Sequence, residues 1–174
     1  LLSSNKAKLF LSEGAEEKIE PNSMQIEALE NLKLLRSSKK EKALLISATG
    51  TGKTFLSAFD AKEFNPKKLL FVVHRLNIAK KSLESFRLIF GHKKTMGLFS
   101  GNNRDLECDF IFSTVQTISK EDNLKQFSNT HFDYIIIDES HRAGADSYLR
   151  LIDYFKPKFL LGMTATPERT DGED

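Results

Sequence analysis

Apolar positions along this chain fall into two rhythms that alternate from the first third of the sequence to its end. Unbroken apolar runs, several of them β-branched or aromatic, predict strands over Ala43 to Ala48, Leu69 to Val73, Met96 to Phe99, Phe110 to Ser113, Tyr134 to Ile137 and Phe159 to Met163. Between them the apolar residues recur at helical spacing. Ile26, Ala28, Leu29, Leu32 and Leu35 form a stripe after the helix start Pro21-Asn22-Ser23, and a second helix is predicted over Lys53 to Phe64. A third spans Leu76 to Phe90 with Ala79, Leu83, Phe86 and Phe90 on its buried face, and a fourth runs near Ser147 to Phe155. Ser37 to Lys42 reads as a loop, and Asn65-Pro66 and Gly101-Asn102-Asn103 read as turns. The stretch from Lys120 to His131 is polar and weakly periodic, so its pattern favours no element. The alternation implies an α/β fold with a mainly parallel β-sheet and helices on both faces. No internal repeat or low-complexity tract interrupts it.

Two segments carry candidate chemistry. Ser47-Ala48-Thr49-Gly50-Thr51-Gly52-Lys53-Thr54 follows the first apolar run, and this strand, glycine loop and Lys-Thr pair suit a triphosphate. Gly50 and Gly52 permit a backbone turn that aims several N–H groups, with those of Thr49 and Thr51, at one anion. Lys53 would reach the β and γ phosphates, Thr54 would offer its hydroxyl to Mg²⁺, and the helix would present its positive end. Ser47 stands where the usual motif has glycine. The second segment is Ile135-Ile136-Ile137, a buried-strand pattern running into Asp138-Glu139-Ser140-His141. In an open parallel sheet ligands bind beyond the carboxyl ends of the strands, so Asp138 would share a crevice with Lys53 and hold the metal. Glu139 would orient or deprotonate the attacking water. For an isolated Asp-Glu pair, capping the next turn is the alternative.

The chain of 174 residues suits one domain with its own core. Its formal net charge of +2, from 26 basic and 24 acidic residues, makes any nucleic-acid surface a local matter. Short basic clusters at Lys39, Lys40 and Lys42, at Lys67 and Lys68, at Lys80 and Lys81, and at His92 to Lys94 read either as such a surface or as solvated helix ends and loops. The single cysteine, Cys108, excludes an internal disulfide and a cysteine zinc cluster, and fits a reducing compartment. The histidines lack metal-ligand spacing, leaving Mg²⁺ delivered with a nucleotide as the expected metal. No apolar run has the length of a membrane span, so a cytoplasmic protein with no membrane partner is expected. The opening at Leu1 and the polar stop at Asp174 suggest a piece of something longer.

With these residues in view, the chain resembles the first RecA-like lobe of superfamily 2 helicases and translocases of the DExH type. The motifs occur in that family's order: Gln25, the 47–54 loop, Val73-His74-Arg75, Thr114-Val115-Gln116-Thr117, Asp138 to His141, and Gly162-Met163-Thr164-Ala165-Thr166-Pro167. The segment from Thr164 to Gly172 looks most like the group containing the restriction subunits of type III systems. The resemblance implies a RecA-like P-loop NTPase, with residues 1–20 as a leader and 21–174 as the first ATP-binding domain. It also implies a second lobe in the same full-length chain, supplying an arginine to the ATP site, without which turnover would be lower by about 10³ to 10⁵.

Residue by residue, the resemblance gives Gln25 the reading of adenine, although Asn22 and Gln25 also match a capping box. Phe10, upstream, is in place to stack on the base but equally suits a buried position. His74, Arg75, Thr114 and Gln116 take the places of residues that grip a nucleic-acid backbone, indifferent to sequence and sensitive to salt. Arg75 has the alternative of a solvated helix N-terminus. His141, Thr164 and Thr166 look like elements coupling ATP hydrolysis to nucleic-acid movement, or else strand-end caps. Ser140 replaces the alanine common in the motif, a change expected to be harmless. The expected function is an ATP- and Mg²⁺-dependent motor lobe acting on DNA in preference to RNA, in restriction or repair. The competing expectations are a P-loop ATPase switch with no nucleic-acid partner, an RNA-directed helicase, and a binding module whose ATP site has decayed.

Overall fold

The computed structural model describes residues 18–47, 50–140 and 145–165. Along the chain these give α1 (Ser23–Ser37), β1 (Lys42–Ile46), α2 (Gly50–Phe64), β2 (Leu69–Val73), α3 (Leu76–Phe90), β3 (Met96–Ser100) and β4 (Asn103–Arg104). They continue with β5 (Phe110–Thr114), α4 (Val115–Ile118), α5 (Glu121–Leu124), β6 (Tyr134–Asp138), α6 (Asp146–Tyr154) and β7 (Phe159–Thr164). The seven strands hydrogen-bond in the order β1-β7-β6-β2-β5-β3-β4. Every pairing is parallel except β3 with β4, a short antiparallel hairpin at one edge. Gly101 turns that hairpin at φ 57°, a conformation glycine adopts without steric cost.

Alternation along the central strands sorts their side chains into two cores. Leu69, Phe71 and Val73 of β2, Phe110 and Phe112 of β5 and Ile136 of β6 pack with Ala58 and Ala61 of α2 and with Ala79, Phe86 and Phe90 of α3. Leu70, Val72, Ile111, Ile135 and Ile137 face the other way, onto Val115, Ile118, Leu124, Tyr148 and Leu151 of α4, α5 and α6. Both faces of the sheet are thus covered, and the consecutive isoleucines of β6 lie within a fully buried strand. The α/β reading, with a mainly parallel sheet between helical layers, is the architecture found.

Three local differences from the sequence reading have physical causes. β1 ends at Ile46 and α2 starts at Gly50, so the predicted strand end at Ala48 falls outside the described residues and the helix begins three residues early. β1 is apolar but lies at the sheet edge, where Leu44 and Ile46 stay 59% and 51% exposed. The Lys120 to His131 stretch holds the one-turn helix α5 and irregular chain, because four residues are too few for a helical stripe to register.

Candidate nucleotide and nucleic-acid site

The parallel strands end along one rim of the sheet. Reading across the strand order, the rim carries Ser47 after β1 with the start of α2, Thr164 at the end of β7, Asp138 at the end of β6, His74 after β2, Thr114 at the end of β5 and Ser100 at the end of β3. Thr164 pairs in register with Ile46, and Val73 pairs with Thr114. The Ser47 N–H donates to the Thr164 carbonyl at 3.0 Å, so the chain entering the phosphate loop is fastened to the β7 end.

Lys53, in the first turn of α2, is 3% exposed and directs its Nζ to Asp138 Oδ1 at 3.3 Å and to Glu139 Oε1 at 3.3 Å. Gly52, one residue before it, lies in the same helical turn. Two stretches some eighty-five positions apart in sequence therefore share one buried charge cluster. Asp138 is 7% exposed and also accepts the Glu139 backbone N–H at 3.0 Å. Glu139 has φ 58°, a left-handed conformation that costs a non-glycine residue about 1–2 kcal/mol and recurs at working sites. The carboxylate pair is therefore held by a strained turn, whereas simple capping of the next turn needs no such strain.

These groups fit a magnesium nucleotide. A buried ammonium balanced by two carboxylates can exchange its partners when a metal cation and phosphates arrive together. The first turn of α2 contains no acidic side chain to repel an anion at its positive end. Gly50, Thr51, Gly52, Lys53 and Thr54 all lie in that turn or directly after it, and Ser57 Oγ donates to the Thr54 carbonyl at 2.7 Å. Thr49, His141 and Thr166, expected at the site, lie outside the described residues, as does Phe10.

Gln25 makes the capping-box contact that the sequence allowed and a second contact that it did not foretell. Asn22 accepts the Gln25 N–H at 2.9 Å while Gln25 Oε1 accepts the Asn22 N–H at 3.0 Å, which is a complete capping box. Its Nε2 meanwhile donates to the carbonyl of Gly52 at 3.4 Å, across to the phosphate loop.

The other half of the rim holds the expected nucleic-acid contacts. Arg75 is exposed at the N-cap of α3 with no side-chain capping bond, and Gln116 is exposed in α4. His74 Nδ1 is buried without a hydrogen-bond partner among the described residues. Thr114 is only 7% exposed, and its hydroxyl is engaged with Ser100 Oγ at 3.1 Å and Thr117 Oγ1 at 3.0 Å. Ser100 was not singled out by the sequence pattern, and Thr117 entered only as the last residue of the 114–117 motif, without a role. The signal available was a serine at a strand's carboxyl end, too common to stand out.

A family model described as "Type III restriction enzyme, res subunit" matches residues 18–169. The chain belongs to this family. Among its relatives, a type I restriction enzyme EcoAI endonuclease subunit of Escherichia coli is 32% identical over 162 residues, covering 86% of this chain and 20% of the relative. The putative ATP-dependent helicase IRC3 of Saccharomyces cerevisiae is 31% identical over 143 residues, covering 71% of this chain and 20% of the relative. The chain spans about a fifth of the length of these two proteins. The SWI2/SNF2 ATPase core of Sulfolobus solfataricus, solved in complex with double-stranded DNA, superposes with a TM-score of 0.69 at 20% identity, over 88% of this chain and 34% of that one. At that identity the likeness concerns the fold alone. No helix among the described residues is long and apolar enough to cross a membrane.

Proposed function

We propose that this chain is the N-terminal ATP-binding motor lobe of a superfamily 2 helicase or translocase that hydrolyses ATP with Mg²⁺ and moves on nucleic acid. The observation that carries the reading is Lys53 Nζ at 3.3 Å from both Asp138 and Glu139 on the rim where β1 and β6 end. Lys53 and the α2 N–H groups would bind the phosphates, Thr54 and Asp138 would hold the metal, and Gln25 would meet the adenine edge. Magnesium would supply charge neutralisation of the phosphate oxygens. Glu139 would orient the attacking water and take its proton.

His74, Arg75 and Gln116 would follow the nucleic-acid backbone, with Thr114 fixing the turn behind them. The first step of coupling would fall at the β7 end, where Thr164 lies between the ends of β1 and β6. Loss of the terminal phosphate would be felt there and passed on, with His141 and Thr166 completing the connection. A second RecA-like lobe of the full-length protein would close over the nucleotide. DNA is the favoured track, since the EcoAI subunit belongs to a restriction enzyme and the Sulfolobus core was solved on double-stranded DNA. The test is the ATPase rate of the full-length protein with single- or double-stranded DNA, or RNA, added. Stimulation by DNA is expected, and no response to any of the three would overturn the motor reading.

A further inference from the structure

Away from the rim, one buried polar cluster joins the three elements that carry the proposed nucleotide site. Arg36 of α1 forks onto Asp60 of α2, with Nη1 to Oδ2 and Nη2 to Oδ1 each at 2.7 Å. Tyr134, the first residue of β6, donates its hydroxyl to the same Asp60 Oδ2 at 2.5 Å. Asp60 is 1% exposed and Tyr134 fully buried, while the Arg36 guanidinium lies over the rings of Phe64 and Phe159 at 5.4 and 4.9 Å. The nearby Lys33–Glu63 pair at 3.2 Å also links α1 to α2. Both of its side chains are more than half exposed, so it contributes little.

A buried ion pair is a weak source of net stability, and its best-attested use is to fix one arrangement among several. Here the arrangement is that of α1 against α2. Apart from the exposed Lys33–Glu63 pair and the packing of Leu32 in the core that holds Ala58 and Ala61, two hydrogen-bonded contacts tie α1 to α2: Gln25 Nε2 on the Gly52 carbonyl at 3.4 Å, and Arg36 on Asp60. Gln25 is three helical turns from Arg36, about 16 Å along the axis, and Lys53 is two turns from Asp60, about 10 Å. The first contact is long and single, the second short, forked and largely buried, at 14% and 1% side-chain exposure. The orientation of α1 is therefore set at the Arg36 end and read out at the Gln25 end.

We infer that Arg36, Asp60 and Tyr134 form a positioning triad that seats α1 on α2 and β6, and thereby places the Gln25 amide against the phosphate loop. The triad touches neither nucleotide nor metal, and its role rests on the proposed nucleotide site. Burial and the adjoining Asp60 carboxylate raise the Tyr134 phenol well above its ordinary range, partly offset by Arg36, so the hydroxyl remains a donor at neutral pH.

The test uses the full-length protein with its nucleic acid, and compares Arg36→Gln, Arg36→Lys and Tyr134→Phe with Gln25→Ala and Lys53→Ala. Arg36→Gln is expected to raise KM for ATP about tenfold with kcat within about twofold, the pattern of lost ground-state binding. The preference for ATP over GTP should fall in parallel, as in Gln25→Ala, and Arg36→Lys should recover part of both. If Arg36→Gln lowers the melting temperature but leaves KM and the ATP-to-GTP ratio unchanged, the triad is structural only and the inference falls. Tyr134→Phe guards against misfolding, because it deletes one oxygen. Amide exchange of residues 23–37 should quicken in this variant, and unchanged exchange there would also overturn the inference. Loss of turnover in Lys53→Ala, with KM and the ATP-to-GTP ratio unchanged in Arg36→Gln, would sink the triad alone. Turnover insensitive to Lys53→Ala would sink the nucleotide site itself.

Discussion

Replacing Lys53 by methionine removes the ammonium while keeping most of the apolar stem, and so isolates what the charge does. In the native arrangement that ammonium, 3% exposed, lies 3.3 Å from carboxylate oxygens on Asp138 and Glu139. Deleting one partner of a buried pair costs about 3–5 kcal/mol, because the remaining charge is left in a poor dielectric. The Glu139 side chain is 25% exposed and stays partly solvated, whereas that of Asp138 is 10% exposed. An overall loss of about 2–4 kcal/mol follows, most of it at Asp138. For a domain of this size each kcal/mol lowers Tm by about 2–4 °C, so the drop should be about 4–16 °C by calorimetry. Adding Asp138→Asn to the methionine variant removes the stranded charge and should restore part of the loss, a coupling visible in a double-mutant cycle. A change within about 0.5 kcal/mol, as for an ordinary surface lysine, would refute the buried charge cluster. So would a companion asparagine without effect.

Three further outcomes are expected. Burial, with Lys68 adding to it, lowers the pKa of His131, whose Nε2 is buried and whose ring packs on Phe127 and Phe132 at 5.2 and 4.8 Å. The unfolded chain then takes up a proton first, so this stabilisation is full above about pH 6.5 and is lost as pH falls below it. The urea midpoint of the native protein should fall through that window and that of His131→Phe should not; parallel curves would contradict it. Lys39 has φ 60° in the turn after α1, and Lys39→Gly should stabilise by about 0.5–1 kcal/mol in urea titration. A Cβ on Gly162 would come within 3.0 Å of Ser140 Cβ, next to Glu139. Gly162→Ala should therefore slow ATP turnover more than it shifts Tm, and equal turnover would dissociate that turn from catalysis.

The fold was legible where the chain repeats one pattern for long enough. β2 and α3 have the boundaries that their apolar runs predict, because a five-residue buried strand and a fifteen-residue amphipathic helix each repeat their rhythm several times. The proximity of Lys53 to Asp138 was legible for another reason: parallel topology sends all strand ends to one rim, so two motifs that end strands must meet there. Arg36, Asp60 and Tyr134 were not legible. They lie 24 and 74 positions apart, and each alone resembles an ordinary helix charge or strand aromatic. Ser100 escaped for the same reason, since its link to Thr114 depends on β3 lying beside β5. The exposed Leu44 shows the converse, an apolar run that looks buried and stands at an edge.

The most direct measurement concerns Glu139, the group placed to handle the attacking water. In the full-length protein with saturating DNA and Mg²⁺, Glu139→Gln should bind ATP as tightly as the native enzyme while turnover falls by about 10²–10⁴, the usual worth of a positioned base. Native turnover in that variant would contradict the assignment of the 138–139 turn as the hydrolytic centre.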